Sequence, residues 1–369
     1  MTDWLRMCLA GGLYYSGLVR FARWWTTRAG RYLVVLNYHR ASGGNLRRHL
    51  LYLRRYYRIL HLEAALEELY SPDAPGVRRD RRPLLALTFD DGYADSYTHA
   101  FALAGELHVP LTIFLIPGYI ESAHCFWWLE GEYLSHHAQV DEVKIDGRTY
   151  RLSWAREREA LAQAIYARAC QARTVRERET FLTSAYHALG ATSSKTAEER
   201  RASPLTWGVV REMAKSAWIS FGAHTMNHPV LAYLTDPAEI QFEVEQGRAM
   251  LEQRLERQVR SFAYPLGKPE HIGEEAMRAV RRAGFRWALT TIRGMNTPQS
   301  DPHQLRRIGV AVDQHWLLVA AQAAGVWGFL SGLSHRQPYR RRGKHDRRCP
   351  SSDARSAHGD VLLAGEEKA

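Results

Sequence analysis

Short apolar runs recur along this chain, several of them closing on chemically capable residues, and that pattern restricts what the chain can fold into. "RYLVVLNYH" ends at His39, "PLLALTFDD" at Asp90 and Asp91, "AWISFGAH" at His224, and "VRSFAYPLG" on Tyr264, Pro265, Leu266 and Gly267. Apolar runs without polar alternation suit strands covered on both faces. "PLTIFLIP" and "FRWALTT" are further strand candidates. Between these runs the apolar residues take helical spacing, as in "NLRRHLLYLRRYYRIL", "HLEAALEELY", the stretch from Ala94 to Leu107, "DPAEIQFEVEQGRAMLEQRLERQ" and "IGEEAMRAVRRAG". Such alternation predicts an α/β fold, a parallel sheet wrapped by helices, either open or closed into a barrel. Reactive residues gathered at strand C-terminal ends would then converge on one face.

With 369 residues and 46% hydrophobic content, the chain can build one large domain with additions. We divide it into an N-terminal amphipathic helix (1–30), a main domain (31–330) and a basic, disordered tail (331–369). Within the main domain, about 118–203 reads as a helical insert, with "EVKIDGRTYRL" its only strand signal. The formal charge of +11 directs attention to anionic partners. The dense cluster "SHRQPYRRRGKHDRRC" has no recognition motif beside it, so nucleic acid is not an expected partner. Cys8, Cys125, Cys170 and Cys349 are scattered without CxxC pairing, and we expect separate, buried, reduced thiols.

No window reaches the roughly 18 uninterrupted apolar residues of a spanning helix. "CLAGGLYYSGLV" is broken by glycines and polar groups, and no small-residue cleavage site follows it, so no signal peptide is evident. The expectation is a location on the cytoplasmic side or at the cytoplasmic face of a membrane. Read as a helix, the first thirty residues gather Arg6, Ser16, Arg20, Arg23 and Thr27 opposite Trp4, Leu18, Phe21 and Trp25. That pattern fits either peripheral membrane contact or a cover for the domain's own core.

Asp90 and Asp91 stand side by side at the end of an apolar run, where two ionised carboxylates repel unless a cation or proton relieves them. "GAHTMNHP" places His224 and His228 four apart, a spacing that can aim two imidazoles at one point. Two neutral histidines and one carboxylate form a facial set for a divalent cation, with positions left for water and substrate. One carboxylate would bind the ion and the other remain beside it as a base.

"LTFDDGYAD", "GAHTMNHP" and "SFAYPLG", in this order, resemble the polysaccharide deacetylases of the NodB-homology type, carbohydrate esterase family 4, over roughly residues 31–325. The resemblance implies a distorted (β/α)7-type barrel with a helical insertion. It also implies removal of N-acetyl groups from an amino sugar in an N-acetylated glycan, with a divalent metal, zinc first. Carried over by position, Asp91, His224 and His228 correspond to the metal ligands and Asp90 to the general base. Tyr264, Pro265 and Leu266 fall in the substrate-binding motif, where Tyr264 either lines the acetyl pocket or sits in the core and Leu266 could offer a backbone N–H to an oxyanion.

Two departures from the family pattern stand out. The arginine that normally holds the catalytic aspartate is absent from "AYPLG", leaving Arg260 or Arg307 to supply the cation. The C-terminal general-acid histidine is also missing, since His303 and His315 lack its neighbours. "LNYHR" instead resembles the circularly permuted subgroup that includes poly-N-acetylglucosamine deacetylases, which makes His39 the candidate acid. Trp127 and Trp128 in "CFWWLE" could stack on sugar rings, though packing against the barrel is their more frequent use. An O-acetyl esterase and a catalytically silent carbohydrate-binding relative are the alternative readings.

Overall fold

A computed structural model describes residues 3–71, 80, 82–191 and 202–326. The expected tail, 331–369, lies outside them. Seven parallel strands close into a barrel: β1 (Leu33–Tyr38), β3 (Leu84–Phe89), β4 (Leu111–Leu115), β7 (Ile219–Ala223), β8 (Ser261–Ala263), β9 (Trp287–Arg293) and β10 (Leu305–Gly309). Their order around the wall is β1-β10-β9-β8-β7-β4-β3, and β3 returns to β1 by pairing from Leu33↔Leu84 to Tyr38↔Phe89. The two-residue β2 (Arg58–Ile59) adds outside, against the start of β3.

Strand periodicity sorts the interior into layers. Leu33, Val35, Leu84, Ala86, Phe114, Ala263, Leu289 and Leu305 share one buried apolar cluster. A Cβ on Gly222 of β7 would stand 2.4 Å from the Phe114 ring, so glycine there leaves that ring its space. One step further along the same alternation the residues become polar: Asn37 on β1, Thr88 on β3 and Arg307 on β10, all buried. This switch from an oily floor to a polar layer puts the chemistry at the strand C-terminal ends.

Helices 46–56, 62–70, 102–107, 237–255 and 274–282 wrap the barrel where helical spacing was read. The barrel strand absent from the sequence candidates is β10, whose "LRRIG" carries two arginines; Leu305 and Arg307 are buried and Arg306 between them is exposed. After β4 come helices 127–137, 155–170 and 175–189 and an antiparallel hairpin of β5 (Glu142–Ile145) and β6 (Arg148–Arg151). These build their own core from Trp127, Leu134, Val143, Leu161, Ile165 and Leu182, into which Tyr93, Ile116 and Val230 of the barrel also pack. Cys8 is exposed, contrary to the expectation of buried thiols, while Cys170 is buried.

Candidate active site

The two aspartates after β3 meet different surroundings. Asp90, whose backbone N–H donates to the Tyr38 carbonyl, faces into the barrel and receives Arg307 Nη1 at 2.7 Å. Arg307 is itself fixed, donating from Nη1 to Asn37 Oδ1 at 2.9 Å and from Nε to the Thr290 carbonyl at 2.9 Å. Burial works against charge on Asp90. Arg307, together with His224 and His39, outweighs it and holds the carboxyl below the usual carboxylate range. Arg307 thus takes the place of the arginine missing from "AYPLG". Arg260 is occupied elsewhere, donating to Gln258 and lying 4.0 Å from Glu67.

Asp91 turns the other way, with backbone φ of 69°. One of its oxygens lies 3.4 Å from His224 Nε2 and 3.6 Å from His228 Nε2. One donor atom from each of the three comes within 4.8 Å of the others, and all three side chains are buried. His224 Nδ1 sits 2.7 Å from the Ala263 carbonyl, which can only accept. The proton therefore belongs on Nδ1, and Nε2 presents its lone pair to the cluster. Burial opposes charge on this imidazole, but the hydrogen bond and charge of Asp91, with the charge of Asp90, raise its pKa. Two buried carboxylates pulling a histidine toward its cation mark a point that calls for positive charge. An O/N/N donor set of this kind fits a divalent transition metal such as zinc.

The loop carrying the second histidine is held in a costly shape. Thr225 and His228 adopt φ of 64° and 53°, and Leu266 on the neighbouring loop 57°. Non-glycine residues in the left-handed region cost of order 1–3 kcal/mol each and persist where surrounding contacts over-determine them.

His39 follows β1, half-buried, near enough to Asp90 for its charge to favour that carboxylate. The segment after it is tied to Asp95, whose Oδ2 accepts from Arg40 Nε, Ala41 N, Ser42 N and Ser42 Oγ at 2.7–3.1 Å. His303 and His315 are engaged elsewhere, on the Phe285 carbonyl and as the cap of helix 316–323. Pro265 is buried, and Leu266 packs partly against the core of the inserted helices. Of its two expected places, the substrate pocket and the core, Tyr264 takes the core. It is fully buried beside Phe262, and its hydroxyl donates to the His303 carbonyl at 3.2 Å, ahead of β10.

The matching family model is described as polysaccharide deacetylase and covers residues 78–288, which include both aspartates and both histidines. The chain belongs to the polysaccharide deacetylase family. YxkH of Bacillus subtilis (strain 168) is 28% identical over 107 residues, a stretch spanning 29% of this chain and only 37% of YxkH. In fold, this family member is similar to the Streptococcus pyogenes deacetylase PplD, solved with acetate. That match has a TM-score of 0.52 at 16% identity and covers 80% of this chain and 99% of PplD. It is also similar to IcaB from Ammonifex degensii, with a TM-score of 0.50 at 21% identity over 80% and 98% of the two chains.

In this deacetylase-family chain the inserted helices brace the histidine loop directly, which sequence reading had not foreseen. Trp127 Nε1 donates to the His228 carbonyl at 2.9 Å. Arg178, 3% exposed, donates to the carbonyls of Asn227 at 3.0 Å and His228 at 3.3 Å. The Trp128 ring lies 4.4 Å from the His228 ring, and its Nε1 donates to the Tyr93 hydroxyl. These tryptophans are buried and pack the histidine loop, as packing rather than sugar stacking would have them. From the other side, Glu243 accepts from the backbone and side-chain nitrogens of Asn227 at 2.7 Å each. Four residues on, Gly247 admits the loop backbone, since a Cβ there would stand 2.9 Å from the Thr225 carbonyl carbon.

Proposed function

We propose that this chain is a metal-dependent deacetylase that removes N-acetyl groups from an amino sugar in a polysaccharide or glycan precursor. The observation that carries the reading is the convergence of Asp91, His224 and His228 beside an aspartate kept ionised by a buried arginine. The donor set suits a divalent cation, zinc first, which when bound supplies Lewis acidity toward water and toward an acyl oxygen.

The protein's own groups divide the remaining work. Asp90 accepts a proton from the attacking water; held by Arg307, it is available in its charged form across the neutral range. Arg307 touches no substrate in this scheme and acts by orienting Asp90. In this scheme the backbone N–H of Leu266 donates to the oxygen that gains charge as the amide carbon becomes tetrahedral. His39, close enough to Asp90 to act on its charge, gives a proton to the leaving amine, without which the amide nitrogen is a poor leaving group.

Released acetate tests this reading. Purified protein with added zinc is offered N-acetylglucosamine oligomers and, separately, an O-acetylated glycan. Acetate from the N-acetyl substrate, lost with a chelator and in Asp90→Asn, is the expected result. Release from the O-acetyl substrate alone would make the chain an esterase, and sugar binding without release from either would make it a silent relative.

A further inference from the structure

Helix 18–29 presents an aromatic face outward. Phe21, Trp24 and Trp25 are 44%, 47% and 51% exposed. Their rings are mutual neighbours, with centroids 5.8, 6.0 and 6.5 Å apart. The opposite face is committed to the barrel: Val19 and Ala22 are buried in its main cluster, and Thr26 Oγ1 donates to the Tyr32 hydroxyl. Arg23 leaves the outer face altogether, its guanidinium 4.4 Å from the Tyr56 ring centre and bonded to the Tyr52 hydroxyl. The helix is thus anchored by one side and shows three large aromatic side chains on the other. Covering the core accounts for the first face and not for the second.

Charge identifies the occupant. Arg20, Arg28 and Arg31 are exposed on or just after the same helix, with Arg28 lying 4.7 Å over the Trp24 ring. The sequence holds no Asp or Glu from residue 4 to residue 62. Clustered tryptophan flanked by arginine suits the boundary between lipid headgroups and acyl chains, where the rings bury and the guanidinium groups meet anionic headgroups. A second copy meeting this face through a two-fold axis would set the arginines against themselves. Residues 331–369 hold nine Lys and Arg against five Asp and Glu, so this tail as a whole repels the arginines rather than complementing them. No helix among the described residues is long and apolar enough to cross a membrane. We propose that helix 18–29 docks this chain peripherally on an anionic phospholipid bilayer, through Phe21, Trp24 and Trp25 inserted at the interface and Arg20 and Arg28 paired with headgroups.

Flotation of the full chain with vesicles tests this. At low salt the wild type should float with phosphatidylcholine vesicles containing phosphatidylglycerol, and much less with phosphatidylcholine alone. The double variant Arg20→Gln/Arg28→Gln should bind about thirtyfold more weakly, as two lost headgroup contacts require. The triple variant Phe21→Ser/Trp24→Ser/Trp25→Ser should bind at least as weakly while keeping the wild-type circular dichroism spectrum. Three results would overturn the proposal. One is a wild type that fails to float with anionic vesicles. Another is a folded triple variant that floats like wild type, which would assign binding to the basic tail. The last is a wild-type dimer that the triple variant turns into a monomer without any vesicle binding, which would make the patch a self-association surface.

Discussion

Arg307 Nη1 lies 2.7 Å from Asp90 Oδ1, reaching across β1 to join the middle of β10 to the end of β3 in an ion pair buried to within 2% on both sides. Removing one partner of such a pair strands the other, a cost of about 3–5 kcal/mol. Arg307→Ala should therefore lose stability on that scale and lower turnover sharply.

The sign of its pH dependence follows from the two environments. In the wild type the depressed Asp90 pKa stabilises the fold above the ordinary carboxylate range, a contribution lost as pH falls through the lowered value. Without Arg307, burial dominates and raises that pKa, so the variant's folded state is favoured by protonation and weakens as pH rises. Denaturant titrations in chelator should show the gap between wild type and Arg307→Ala widening from acidic to neutral pH. A gap independent of pH would contradict the pairing.

For Asp90→Asn we expect a fall in turnover of at least about a hundredfold, the scale of a lost general base, with zinc affinity little changed. Parallel loss of metal would mean that Asp90 belongs to the donor set rather than beside it.

His39→Ala should lose at least about a hundredfold in turnover on an amide. The loss should shrink on an aryl acetate ester, whose leaving group needs no proton. Steady-state rates on the two substrates check this, and an equal loss on both would remove His39 as the acid.

The histidine loop depends on contacts far along the chain. Supporting contacts of this kind are worth about 10–100-fold in metal affinity. Arg178→Met deletes the donors to the Asn227 and His228 carbonyls. Gly247→Ala drives a methyl group into the Thr225 carbonyl. Both should weaken zinc binding by about that factor in a competition titration with a chromophoric chelator. Unchanged affinity in Arg178→Met would mean that the insert plays no part in holding the loop, and in Gly247→Ala that helix 237–255 plays none.

Much of this arrangement could be read from the chain and some could not, for physical reasons. Unbroken apolar runs give away β1, β3 and β4, and the polar residues that close β3 and β7 give away Asp90, Asp91 and His224. β10 escapes because a barrel interior that needs a cation places Arg307 at an inward position, which breaks the apolar pattern of a buried strand. Asp95 stood inside a motif already noticed, but its role lies in the backbone of residues 41 and 42, invisible without the turn geometry. Tyr264 closes its strand as the reactive residues do, yet its ring runs back into the core, and a run of letters does not say where a side chain points. In helix 18–29 the sequence showed two sides and left open which one faced water.

The proposed chemistry requires a single cation shared by Asp91, His224 and His228, and zinc titration by calorimetry into chelator-stripped protein examines that most directly. One equivalent should bind tightly to the wild type, with binding lost in Asp91→Ala and His224→Ala and retained in Asp90→Asn. Absence of binding to folded wild type, or undiminished binding in both ligand variants, would contradict it.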